Sequence, residues 1–420
     1  MLTMSSGAVE IVLRQHAEGA VHLANQRTIL VRGAGVGVAE LRRHDRRLDA
    51  YLDGLATAGE QGRRMSDLLF ESAGYGESFT AAVGAIEGSD RSRVDRLFAL
   101  SHAVPPVHTG LADAFGWVAP GRLVGLIKEL LGSSDTHRRT AGMAACAMHL
   151  VHSPVLQGFA GDGDAAVRAR ALRAAGELGR QELVPTCTEA TEDPDSESQF
   201  WGTWSAVMLG ARGRALHSLG ELGIMAGPHR PTALQLALQA MSAGEAHHLL
   251  QRLAAESQDV RSLIGGSGVA GDPAYVPWLI RQMARPDTAR TAGEAFSLIT
   301  GIDLAQMGLE SNQFEDFACG PNDDPDDAVV DLDADEGLTW PDAQKVEQWW
   351  AANSNRFQKG RRYFMGAPVS RERCIDVLKN GYQRQRILAA HYLCLLEPGT
   401  PLFNTSAPAW RQQKLLAQMS

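Results

Sequence analysis

The chain has 420 residues, 44% of them hydrophobic, and its 40 Lys plus Arg against 49 Asp plus Glu leave a formal charge of -9. That is the balance of a globular protein, and no run approaches the ~18 consecutive apolar residues that a membrane span requires. The five cysteines, Cys146, Cys187, Cys319, Cys374 and Cys394, are widely spaced and form no CxxC pair, which argues against a disulfide framework.

At the N-terminus Glu10 precedes the first basic residue, Arg14. This is the reverse of a secretory leader, and a cytoplasmic protein is expected. The stretch VEIVLRQHAEGAVHLANQR reads as a helix through about Arg27. Gly33, Gly35 and Gly37 follow an apolar run as a dinucleotide-binding turn would, but Val38 stands at the sixth position and no βαβ pattern follows, so a loop between two helices is expected. In the next helix Leu41, Leu48, Tyr51, Leu52 and Leu55 share one side. Residues 1–100 are read as a helical cap, because the end unit of a repeat array must cover an apolar face.

Residues 164–179 place Val167, Ala171, Leu172, Ala175 and Leu178 on one helical face, with Gly179 as a left-handed stop and Pro185 opening the next apolar stretch. The same order of Arg, apolar face, glycine and Val-Pro returns at Val260–Met283, with Gly271 and Pro277 in the corresponding places. Intermediate copies fit at Gly210 and at Arg138, giving a period of ~31 residues and two helices per unit, the mark of an α-solenoid. The fold expected is therefore all-α, with residues 101–301 as a repeat array of HEAT-like type.

Within that array Gly266, Gly268 and Gly271 match G-x-G-x-x-G, but no strand precedes them. Cys146, His149 and His152 are spaced by three, which turns the outer two about 120° apart on a helix and suits packing better than metal ligation. His247 and His248 are adjacent and point apart. No metal or cofactor is expected.

Residues 302–340 break the periodicity, and residues 291–344 hold 14 acidic and no basic side chains. The stretch from Asn322 to Gly337 reads as a mobile acidic loop. Asp331, Asp333 and Asp335 resemble the start of a calcium loop, but Glu336 occupies the place of its invariant glycine. Residues 341–420 return to helices: one after Pro341, one capped by Ser370 and closed by Gly381, one over 382–399 and one after Ser406, with residues 360–369 as an extended ribbon.

The basic residues Lys359, Arg361, Arg362, Arg371, Arg373, Arg384 and Arg386 cluster in this region beside Tyr363 and Phe364. They suit an ordinary surface, a docking site for the acidic loop or a protein partner, or a nucleic-acid contact. Arg361, Tyr363, Arg384 and Arg386 are taken as partner-binding candidates, since long and aromatic side chains make strong interface anchors.

No G-x-S-x-G elbow, H-E-x-x-H or P-loop occurs, and the absence of any His-Glu dipeptide removes iron sites of the deoxyhypusine hydroxylase kind. The segments QHAEGAVHLANQR, LRRHDRRLDAYLDGLATAG, RRYFMGAPV and YQRQRILAAHYLCLLEPGTPLFNTSAPAWRQQ resemble an uncharacterised bacterial family of HEAT-like proteins encoded near type VI secretion spike proteins and their effectors. The resemblance implies a non-enzymatic adaptor or chaperone whose partner is a secretion effector or spike protein. Two alternatives stand beside it. One is a HEAT-like nucleic-acid binder or DNA glycosylase-like enzyme, for which Trp201, Trp204 and Trp278 are the relevant aromatics; the other is a toxin-immunity protein.

Overall fold

The structure, a computed structural model, describes residues 6–256, 259–314, 317 and 333–419. These residues are helical throughout apart from one short hairpin, an isolated bridge between Glu310 and Pro341, and the connecting turns. The local reasons recur. Asp135, Asp164 and Asp259 each stand before a helix and accept the amide three residues on, from Arg138, Val167 and Ser262 at 2.9, 3.3 and 2.9 Å, a cap worth about 1 kcal/mol. Gly179 and Gly271 lie at φ 69° and 74° beyond their helices, where a Cβ would be strained.

The chain divides into two compact units, one of Met1–Arg32, Val36–Ser205 and Gly399–Met419, the other of Gly33–Gly35 and Ala206–Pro398. These do not follow the segments 1–100, 101–301, 302–340 and 341–420. In the first unit the helices Ser6–Leu30, Tyr75–Glu87, Pro105–Trp117, Thr136–Met148 and Ala165–Glu177 each pack on the next. From Tyr75 onward they begin about 30 residues apart, so the repeat starts inside the region read as a cap.

The contacts explain why. A Cβ on Gly110 would meet Ser78 Oγ at 2.1 Å and the Tyr75 carbonyl at 2.3 Å, an approach only glycine allows. One apolar core runs from Leu13 through Phe79, Phe98 and Leu111 to Ala145 without interruption at residue 100. The last helix, Ala409–Leu416, returns to Val38–Thr57, where the Ala409 amide donates to Asp45 at 2.7 Å and Arg27 pairs with the same carboxylate at 2.8 Å.

In the second unit Arg230–Ala240, Val260–Ala270 and Ala289–Thr300 repeat the spacing and pack in turn. Gly266 and Gly268 lie inside the middle helix. A Cβ on Gly268 would fall 2.7 Å from Ala295 Cα, so the glycine serves helix contact. Leu279, Phe296 and Ile299 share a core with Val346, Phe357 and Tyr363, which ties Ala343–Asn353 and the ribbon to the repeat helices.

The ribbon is an antiparallel hairpin, Tyr363–Phe364 against Ala367–Pro368, turning through Met365 and Gly366 at φ 50° and 86°. The turn amides donate to Leu298 and Ile299 carbonyls at 2.6 and 3.1 Å and so close the end of Ala289–Thr300. The remaining helices of this unit include Arg371–Asn380 and Gln383–Leu396. Among the described residues no helix is long and apolar enough to cross a membrane.

Candidate functional site

The four residues singled out from the basic cluster do not form a common surface. Arg361 is exposed. Tyr363 is only 7% exposed, lies edge-on to Phe357 at 5.2 Å, and its hydroxyl accepts the Gln358 amide at 3.0 Å. Arg386 is fully buried, donates to the Leu378 carbonyl at 2.8 Å and to Gln383 Oε1, and burial lowers its pKa to about 10. It ties Arg371–Asn380 to Gln383–Leu396 from within. Tyr363 and Arg386 are core residues, not contact anchors, because the hairpin and helix pairing that surround them are tertiary and leave no local mark.

Neighbouring charges are also engaged. Arg362 donates to the Leu238, Gln239 and Met241 carbonyls at 2.6, 2.5 and 2.8 Å, closing the end of Arg230–Ala240. Arg373 pairs with Asp376 at 3.0 Å and Arg371 with Glu397 at 3.5 Å. Of the cluster, Arg362 and Arg386 are spent inside the fold, Arg371 and Arg373 are paired with acids at the surface, and Lys359 and Arg361 are exposed.

Arg384 leads to the organised part of this unit. One nitrogen pairs with Glu294 at 2.8 Å and another donates to the Ala334 carbonyl. Around it, Arg261 pairs with Asp335 at 2.7 Å, Thr291 donates to the same oxygen at 3.1 Å, and Arg290 pairs with Asp333 at 2.8 Å while donating to the Asp335 carbonyl at 3.2 Å. Arg290 also lies over the Trp340 ring at 4.5 Å. Burial opposes ionised Asp333, but hydrogen bonds from Arg290 and the Asp335 amide outweigh it and hold its carboxyl below the usual range. Residues 318–332, the larger part of the expected acidic loop, lie outside the described residues, as do Asp331 and Cys319. Residues 333–337 are a turn pinned by three arginines, where a mobile loop was expected.

Beside this strap opens a cleft of about 350 Å³, lined by Arg290, Glu294, Asp303, Gln306, Asp376 and Tyr382, with Leu338 and Thr339 of the strap and Ala34 of the glycine-rich loop. Its size lies at the lower end of ligand clefts, ~300–1,000 Å³. The polar groups are held in place by intramolecular partners: Tyr382 donates to Asp303 at 3.2 Å, Asn380 to Asp376 at 2.9 Å, and Asp303 accepts the Gln306 amide at 3.0 Å. Burial pushes the Glu294 carboxyl up in spite of Arg384. Tyr382 is 38% exposed and Met307, on the turn that carries Gln306, is 51% exposed. The lining thus combines fixed donors and acceptors with the exposed ring of Tyr382, which suits a peptide backbone and an anchoring side chain. Gly35 has a reason as well: a Cβ there would come within 2.9 Å of the Gly337 carbonyl.

Other chemical candidates resolve into packing. The Cys146 thiol is buried and pushed up to about 11, and His149 bonds the Phe115 carbonyl at 2.7 Å. His102, His137 and His108 stack with centroids 4.2 and 4.4 Å apart, a trio that its spacing in the chain did not reveal. Ser101 touches His137 at 2.9 Å, but its hydroxyl donates to the Phe98 carbonyl and is not poised for attack. Trp204 is buried, Trp201 stacks on Arg173 at 4.3 Å, and Trp278 packs on the second unit's core. Among the described residues no group of three or more His, Cys, Asp or Glu side chains is placed to hold a metal ion. No family model matches the chain, and a search of curated proteins returns no match.

Proposed function

We propose that this chain is a non-enzymatic protein-binding scaffold, an adaptor or chaperone that engages an effector or spike component of a type VI secretion system. The observation that supports the reading is the cleft of the second unit, where polar side chains already fixed by intramolecular bonds stand beside the exposed Tyr382, and where the exposed Met307 follows Gln306 of the lining in the chain. Pre-organised groups lose little freedom when a partner docks, so more of the contact energy appears as affinity. Recognition would proceed by shape and by pairing with peptide groups, with no bond made or broken.

A photo-crosslinking residue placed at Met307 tests this in cells that carry an intact secretion cluster, with the same residue at the exposed Arg43 as control. The reading expects one predominant crosslinked protein from position 307, encoded in that cluster and absent from position 43. Crosslinking at 307 only to the proteins also found at 43 would overturn it. Protection of toxin-treated cells by the chain would reassign the partner as a toxin and the role as immunity.

A further inference from the structure

We infer that the surface formed by Arg261, Arg290, Thr291 and Arg384 is a receptor for an acidic peptide of Asp-x-Asp type, occupied in cis by Asp333–Asp335 and in trans by an acidic segment of a partner protein. The inference rests on the scaffold reading and names the chemistry its partner presents.

The contacts have the form of peptide recognition. They address two carboxylates two residues apart, through Arg290 and through Arg261 with Thr291, and two main-chain carbonyls, those of Ala334 and Asp335. The alanine side chain between them takes no part in these bonds, so the surface reads a spacing of charge and not a unique sequence. Asp335 is 5% exposed, a depth at which a carboxylate needs the partners it has here.

Two of the three arginines are oriented without the strap. Arg261 donates to the Asp287 carbonyl at 2.9 Å, and Arg384 is held by Glu294 at 2.8 Å. If the strap left, both guanidinium groups would remain aimed at the vacated ground. The strap itself is retained by polar contacts, and no residue from 333 to 337 belongs to the core of this unit. Because Asp335 and Arg290 are buried, release of the strap leaves charges unpaired, so the exchange requires a ligand that brings equivalent carboxylates.

A tethered segment has an effective concentration of order millimolar, so a free peptide competes poorly with it. A partner that also fills the adjoining cleft does better, because Arg290 lines that cleft as well as binding the strap, and Leu338 and Thr339 carry the chain from the strap into it. Cleft and arginine surface together form a two-point site whose second point is masked until a ligand of the right charge arrives.

The test uses the purified full chain and a fluorescein-labelled peptide with the sequence of residues 333–341. In the Asp333→Ala/Asp335→Ala variant the peptide should bind at least about tenfold more tightly than in the parent chain, since the cis competitor is lost. Binding should weaken as salt is raised, and it should vanish with a peptide carrying Ala at both aspartate positions. Asp335→Asn is the milder variant should the double one fail to fold, judged by circular dichroism. Equal binding by the variant and the parent chain, capture of the alanine peptide, or no binding at millimolar peptide by a folded variant would each overturn the inference. Because no partner protein is present, a negative result here leaves the crosslinking test untouched, and the reverse also holds.

Discussion

Replacing Gly268 by alanine sets two effects of known sign against each other. Alanine is the better helix former by about 1 kcal/mol in a helix interior, and Gly268 sits within Val260–Ala270. The new Cβ, however, would lie 2.7 Å from Ala295 Cα and 2.9 Å from its Cβ, roughly 1 Å inside the normal contact distance of about 3.5–4.0 Å. Both neighbours belong to a packed helix and cannot swing aside, so overpacking should cost about 1–3 kcal/mol, leaving a net loss of up to about 2 kcal/mol. Gly265 provides the internal comparison. It lies in the same helix with nothing within 4 Å of an added Cβ, and Gly265→Ala should gain about 1 kcal/mol. Thermal unfolding followed by far-ultraviolet circular dichroism resolves this difference, since each kcal/mol moves the midpoint by about 2–4 °C in a unit of this size. If Gly268→Ala stabilised the protein as much as Gly265→Ala, the close helix contact would be refuted.

Arg386→Ala should lower stability by roughly 2–4 kcal/mol, through a cavity and through loss of the bond to the Leu378 carbonyl, with Arg386→Met milder because it refills most of the volume; the shift of the urea midpoint measures both. Stability should also depend on pH through His391, whose pKa burial lowers to about 4. The unfolded chain, with histidine near 6.5, takes up this proton first as pH falls, so the contribution is fully present above about 6.5 and is lost toward 4, up to about 3 kcal/mol in all. Urea unfolding at pH 7.5 and 5 should show the fall, and His391→Gln should lessen it, the remainder coming from other buried histidines such as His108, likewise lowered to about 4; an unchanged slope would contradict the buried neutral state of His391.

The helices were legible because their signals are local. Asp164 and Asp259 announce a start by accepting amides within one turn, Gly179 and Gly271 announce an end through backbone freedom, and the five apolar positions from Val167 to Leu178 are all buried. The start of the repeat at Tyr75 was missed although Phe79, Ala82, Val83 and Ile86 are buried at helical spacing, because the contact that sets the repeat apart, Gly110 against Ser78 and the Tyr75 carbonyl, is a glycine pressed on backbone. The two-unit division was missed for a similar reason. Residues 399–419 rejoin the first unit through the Leu402 amide on the Glu177 carbonyl at 2.9 Å and Ala409 on Asp45, contacts between positions remote in the chain.

The candidate site shows what composition can and cannot carry. Arg384 and Arg386 are two residues apart in one helix, equal in type and setting, yet one reaches the strap and the other is sealed inside; a helical turn of about 200° separates their directions, and only the packing decides which direction meets water. Tyr363 follows the same logic in the hairpin. The charge asymmetry, by contrast, was a usable signal. A stretch of 14 acids without a base requires counter-charge wherever any part of it packs, and the arginines that supply it at Asp333 and Asp335 stand 43 to 74 residues away along the chain. Segment-level imbalance therefore left docking open beside the mobile loop that was expected, while the three arginines that perform it became identifiable only once the helices bearing them were placed side by side.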